Sequence, residues 1–292
     1  MPGYIKAALF KYQYPEPRKP QHAPHKWEKP QYGQTKQYAK PVEKTPKLDA
    51  EGIKHIQKVI GTLLHYARTI DSTTLMAINA ISSDQVTGTT TTADAVTWLL
   101  DYAATYPNAT IHYKASKMIL RIHSDASYQL DTESHSHAGG HLFLVSNNHT
   151  DTSEKNSAIH TTCEIIKNVM SAASEAECGA TFINCKAVVP LRITLEEMGH
   201  EKPPTPVQIY NSTTEGIMNS TMQQKRPKAM DMRFYWIQDR IKQKNLKVFW
   251  KPGTTNLGDY HTKHHAPNHH RNGRKNYIHC PGIPRKASAR VC

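Results

Sequence analysis

Met118-Ile119-Leu120-Arg121-Ile122-His123-Ser124-Asp125 alternates its side chains and closes on an acid. A period of two is the pattern of a strand with unlike faces. Two stretches downstream read in the same way. Ala138-Gly139-Gly140-His141-Leu142-Phe143-Leu144-Val145 is a second strand that begins at glycines, and Ser157 to Asn168 makes a third. A helix is expected from about Ala172 to Gly199, with Pro190 as a site for a kink because its ring costs a hydrogen bond. Pro206 to Asn211 reads as a short strand. Asp231 to Gln243 reads as a helix with Met232, Tyr235, Trp236 and Ile241 at core spacing, and Leu246 to Trp250 as the last strand. Three hairpin-like strands, a helix, a strand, helices and a final strand predict an α/β mixed sheet with flanking helices.

Upstream, the period changes. Over residues 49 to 107, Ile53, Ile56, Val59, Ile60, Leu63 and Leu64 fall three or four apart behind the candidate cap Asp49. Asp71-Ser72 can cap a second helix bearing Leu75, Met76, Ile78 and Ile81. A third starts in the threonines at 89 to 92, carries Ala95, Trp98, Leu99 and Tyr102, and ends before Pro107. These three helices predict a small lobe that serves as scaffold. Residues 1 to 48 hold eight prolines, five tyrosines and one tryptophan, with ten Lys/Arg against three Glu. Proline lacks a backbone N–H and disfavours helix before it, so this basic segment is expected to be an extended arm without a core of its own. It is either a flexible tail or an aromatic, basic arm for nucleic acid or a neighbouring domain. The expected division is therefore an arm over 1–48, a helical segment over 49–107, an α/β domain over 108–280 and a basic tail over 281–292.

The 292 residues carry a formal charge of +13, which favours a polyanionic partner and puts nucleic acid first. The five cysteines, at 163, 178, 185, 280 and 292, form no C-x-x-C pair. That odd count, with no signal peptide read in the sequence, points to a reducing intracellular compartment, and the expected setting is a cytoplasmic particle and/or the nucleus. No apolar run approaches the roughly 20 residues that span a bilayer, so no membrane association is expected.

Asp125 follows a strand, Glu177 lies in the helical Ser174-Glu175-Ala176-Glu177, and Asp259 follows the last strand in Asn256-Leu257-Gly258-Asp259-Tyr260. A single acid at a strand end is usually a cap or turn residue. Several at the ends of neighbouring elements can converge on metal. Phosphodiester hydrolysis by two cations roughly 3.5–4 Å apart needs such a set, and Mg²⁺ suits it because it takes oxygen ligands and keeps waters.

Ile122-His123-Ser124-Asp125-Ala126-Ser127-Tyr128, Ala138-Gly139-Gly140 and Ser174-Glu175-Ala176-Glu177 resemble the ribonuclease H domain of copia-type retrotransposon polyproteins. Lys228-Ala229-Met230-Asp231-Met232-Arg233-Phe234-Tyr235-Trp236 and Asn256-Leu257-Gly258-Asp259-Tyr260-His261-Thr262-Lys263-His264-His265 are similar to that family's C-terminal block. Pro20-Gln21-His22-Ala23-Pro24-His25 and Gly61-Thr62-Leu63-Leu64-His65-Tyr66-Ala67-Arg68 resemble its reverse-transcriptase tail and connecting segment. The resemblance implies a ribonuclease H-like fold that cuts the RNA strand of an RNA/DNA hybrid with two Mg²⁺ or Mn²⁺ ions. It makes Asp125 the bridging ligand, Glu177 a ligand of one ion, and Asp259 the ligand beside the attacking water. Of the two glutamates, Glu177 fits the catalytic position, since the family's residue precedes the position held by Cys178.

The third acid is missing. The family pattern Asp-Asn-Ser-Thr-Ala stands here as Tyr210-Asn211-Ser212-Thr213-Thr214. Tyrosine is neutral near pH 7 and a poor ligand for a hard cation, and its ring is expected to project where a metal should sit. Asn211 points to the opposite face, and Glu215 is a distant substitute. Hydrolysis is expected to be lost or cut by orders of magnitude. The alternative is a non-catalytic remnant that binds nucleic acid. No Asp-Asp pair is present, so no polymerase site is expected. Met1-Pro2-Gly3-Tyr4 reads as an internal start, with the upstream reverse-transcriptase domains missing. The cluster His261, His264, His265, His269 and His270 raises zinc, but Cys280 and Cys292 do not complete a finger spacing.

Overall fold

The computed structural model describes residues 1–17, 19–27, 45–128, 135–222 and 231–279. Lys228 to Met230, Cys280 and the basic tail lie outside the described residues, as does most of the arm after Trp27. Five strands, β1 (Ile119–Ser127), β2 (Ser136–Val145), β3 (Ala158–Ile166), β4 (Thr205–Ile209) and β5 (Leu246–Trp250), form one sheet in the order β3-β2-β1-β4-β5. The β3-β2-β1 pairs are antiparallel, as hairpins must be, whereas β1-β4 and β4-β5 are parallel.

Eight helices are described: α1 (Tyr4–Lys11), α2 (Ala50–Thr69), α3 (Leu75–Asp84), α4 (Thr90–Thr105), α5 (Ala173–Glu197), α6 (Ser212–Met218), α7 (Asp231–Lys242) and α8 (Pro267–Arg274). None is long and apolar enough to cross a membrane. Asp49 caps α2 by accepting from Gly52 N at 2.8 Å, and Thr89 with Thr92 forms a capping box on α4. α5 runs without a break through Pro190. Its Cys178, Cys185, Val188 and Leu195 bury one stripe against Leu120, Ile122, Leu142 and Val207 of the sheet.

The glycines of β2 take on a second role here. A Cβ on Gly140 would fall 1.9 Å from Asn184 Oδ1, and one on Gly139 would fall 2.4 Å from the Gly258 carbonyl oxygen. One glycine therefore admits an α5 side chain, and its neighbour admits the loop that carries Asp259. Asn184 Nδ2 uses the space to donate to Ser124 Oγ at 2.8 Å and Gly139 O at 3.0 Å.

Two expectations need correction. The arm is not extended throughout. α1 buries Ile5 and Ala8 against α2 and α4, and Tyr4 donates to Thr62 O while Tyr14 donates to Asp101 Oδ1 at 2.8 Å. The stretch between Pro2 and Pro15 contains no proline, and its apolar residues recur at helical spacing. In α7 the phase is different: Phe234 and Ile237 enter the core, Trp236 and Ile241 pack beside it, and Met232 and Tyr235 are exposed. The helical lobe also shares its core with Leu257, Tyr260, Tyr277 and Ile278 from the chain's far end, so no break in packing accompanies the change of pattern near residue 107.

Candidate active site

Asp125 sits near the C-terminal end of β1, flanked by β2 and β4, the central position of the sheet. Its carboxylate is buried, and Oδ2 accepts from Thr262 Oγ1 at 2.9 Å. The Thr262 hydroxyl also lies 2.9 Å from Asp259 O, which ties the two acid-bearing segments together. Asn256 fixes the same loop: its Nδ2 donates to Ser124 O at 2.7 Å, its Oδ1 accepts from Gly258 N at 2.8 Å, and Leu257 N donates to His123 Nδ1 at 3.1 Å. The Asn-Leu-Gly-Asp sequence is thus a clamp that carries the acid to the strand end.

Glu177, in the second turn of α5, is equally buried, and its Oε1 accepts from Tyr210 N at 3.0 Å. Burial first and the Asp125 charge second push its carboxyl up to about 8. Asp125 is pushed up to about 7, by burial and then by Asp259. The backbone N–H of Ala126 works against both shifts. Asp259 is more open, with a third of its side chain exposed, and Lys263 Nζ stands 2.5 Å from its Oδ1. Asp125, Glu177 and Asp259 thus lie at one end of the sheet and act on one another electrostatically. Among the described residues, no three His, Cys, Asp or Glu side chains group so as to hold one metal ion.

Tyr210 does not project as its bulk suggested. Its backbone faces the site, its N–H on Glu177 and its carbonyl accepting from Trp250 Nε1 at 2.8 Å. The ring is 56% exposed and lies against Gly253, where an added Cβ would meet it at 2.6 Å. Asn211 caps α6 through Thr214 N at 2.9 Å, and Glu215 is bound to Asn219 Nδ2 at 2.5 Å. Neither supplies the missing carboxylate. Glu175 accepts from Ser171 N and Oγ at the helix start. The C-terminal histidines pack as rings: His265 stacks on His269 with centroids 4.5 Å apart, and His25 meets His264 at 3.9 Å. Thr262 and Lys263 were visible in the sequence, but only the geometry gives each its carboxylate.

No family model matches the chain. Over 170 residues, 58% of its length, it is 25% identical to the "Retrovirus-related Pol polyprotein from transposon TNT 1-94" of Nicotiana tabacum. The chain is a distant homologue of part of a retrotransposon Pol polyprotein. The match spans only 12% of that polyprotein's length. The α/β domain of this chain is the five-stranded mixed sheet with flanking helices described above. A ribonuclease H1 isolated from compost aligns with a TM-score of 0.37 and 16% identity, covering 49% of this chain and 92% of that one. The N-terminal ribonuclease H domain of rv2228c from Mycobacterium tuberculosis aligns at 0.36 and 12%, covering 54% and 96%.

Proposed function

We infer that the chain is a retrotransposon-derived ribonuclease H domain whose ancestral reaction is hydrolysis of the RNA strand of an RNA/DNA hybrid, and that this reaction is impaired here. The observation that carries the reading is the pair Asp125 and Glu177, buried together at the end of the central strand, with Asp259 clamped beside them through Thr262. Buried carboxylates that repel each other suit a hard, oxygen-seeking cation, whose charge would offset their desolvation. Asp125 and Glu177 would hold it, and Asp259 would join them once Lys263 is drawn away. Mg²⁺ or Mn²⁺ in that position supplies Lewis acidity toward a phosphodiester.

The impairment rests on Tyr210. Its ring is turned onto Gly253 and leaves the position without a fourth oxygen ligand. The same feature supports the second reading, a nucleic-acid-binding remnant without catalysis. Purified wild type and Tyr210→Asp, incubated with a labelled RNA/DNA hybrid and Mg²⁺, separate the two. The expected outcome is cleavage by Tyr210→Asp that exceeds wild type by at least about a hundredfold, comparable to loss of one preorganised group at a reacting centre. Equal rates would refute the impairment, and no cleavage by either protein would refute the ribonuclease reading.

A further inference from the structure

At the end of the sheet where β1 begins and β2 ends, three segments from distant parts of the chain enclose a cleft of about 520 Å³. The connector ahead of β1 supplies His112, Tyr113 and Lys114, the loop before β3 supplies Lys155, and the chain after α8 supplies Lys275 and His279. No Asp or Glu among the described residues lines it. Among the described residues, no carboxylate makes an ion pair with any of the three lysines. Like charges gathered in a concave wall without counter-charge focus a field that favours an anion.

The cleft is built rather than loose. Buried Asn156 accepts from Lys114 N and Ser157 N, both at 2.9 Å, and donates to Lys114 O and Leu144 O, both at 3.0 Å. Lys114 Nζ donates to Lys155 O at 3.0 Å, which holds its charge at the wall. The third segment is fixed by His279 N donating to Thr110 O at 2.7 Å and by the His112 and His279 rings, stacked 3.9 Å apart at 14°. Tyr113 stands at the rim, with its hydroxyl on Ala158 O at 3.2 Å and its ring exposed. Lysines interleaved with an exposed aromatic ring are the pattern that tracks a sugar-phosphate chain and stacks on its bases.

We propose that this cleft is a second nucleic-acid contact, gripping the phosphodiester backbone away from the acid cluster while Tyr113 stacks on a base or sugar. Ile119 and Asp125 lie at opposite ends of β1. Six residues of strand at about 3.3 Å each separate Ile119 from Asp125 by about 20 Å, while the inner wall of the cleft, Tyr277, reaches the acid-bearing loop through its hydroxyl on Leu257 O at 2.9 Å. The inference rests on the nucleic-acid partner proposed above but not on cleavage.

The test is fluorescence anisotropy of a labelled RNA/DNA hybrid of about 20 base pairs, long enough to reach both ends of the sheet, in EDTA over a series of salt concentrations. The Lys155→Gln/Lys275→Gln variant should lower the slope of log affinity against log salt by about two. Lys54→Gln/Lys58→Gln, an equal charge change on the exposed face of α2, should leave it near wild type. Tyr113→Ala should weaken binding at least about fivefold, and Tyr113→Phe should restore it. Equal slopes for the two double variants would overturn the proposal, as would displacement of the hybrid by polyglutamate at matched charge. Absence of binding by wild type would overturn it as well, whereas the nuclease reading is decided separately by the cleavage assay on Tyr210→Asp.

Discussion

Replacing Glu177 with glutamine removes a titratable carboxyl that the fold buries beside Asp125. The Glu177 carboxyl titrates at about 8 in the fold against 4.5 in solvent. Between those two values the folded state keeps a proton that the unfolded chain releases, so this group's contribution to stability is greatest below pH 4.5 and is lost as pH rises toward 8. One group contributes at most about 1.4 kcal/mol per pH unit, which gives about 3 kcal/mol between about pH 5 and about pH 7.5. Glutamine has no such proton to lose. Its amide can still accept from Tyr210 N, although an N–H facing the amide nitrogen would cost about 1–3 kcal/mol at every pH. The absolute change at one pH is therefore a poor readout, and the change with pH is a good one. In urea unfolding with EDTA present, the difference Glu177→Gln minus wild type should grow in favour of the variant by about 3 kcal/mol over that range. Mg²⁺ should shrink the difference by stabilising wild type alone. A difference that stays flat with pH, or that grows toward acid, would refute the claim that the two carboxylates share one buried site.

Three other perturbations follow from the same structure. Burial pushes the Asp71 carboxyl up, but Arg274 and Thr73 outweigh it and hold it below the usual range. Arg274→Met should therefore cost about 3–5 kcal/mol in chemical denaturation, most of it recovered by adding Asp71→Leu. Gly139→Ala should destabilise the fold by about 1–3 kcal/mol and speed amide exchange in residues 256–262, because its Cβ meets the Gly258 carbonyl; unchanged exchange there would contradict the close approach. Burial lowers His141 from 6.5 to about 4, so its contribution is intact above pH 6.5 and is lost as pH falls toward 4. His141→Gln should flatten acid unfolding by up to about 1.4 kcal/mol per pH unit in that window, opposite in sign to the Glu177 effect.

The sheet and its main helices were legible because their periods are clean. β1 alternates, α2 repeats at three and four, the Asp49 cap acts where the sequence suggested, and α4 starts in the threonines at 89 to 92. α1 was hidden by averaging composition over the whole arm, although Ile5, Ala8 and Leu9 carry a helical stripe between two prolines. α7 misled for a different reason. Met232, Phe234, Tyr235, Trp236 and Ile237 are apolar or aromatic almost without gap, so the sequence offers two phases and only the sheet beneath selects one. At the site, the acids announce themselves by type and spacing. The turn of the Tyr210 ring onto Gly253, the grip of Thr262 on Asp125 and the lysine beside Asp259 depend on neighbours that sequence distance does not reveal.

The buried ion pair between Asp71 and Arg274 joins residues 203 positions apart, and Tyr102 meets His270 of α8 at 2.8 Å in the same wall. During synthesis the helical lobe emerges early, yet its wall stays open until α8 has left the ribosome. At roughly 5–20 residues per second that interval is about 10 to 40 s. Through it, Asp71 waits without its cation and the rings of Tyr102 and Tyr106 lack the Arg274 guanidinium that covers them. A chain terminated anywhere before Arg274 would carry that open wall permanently, so for this molecule the last helix decides whether the first lobe is finished.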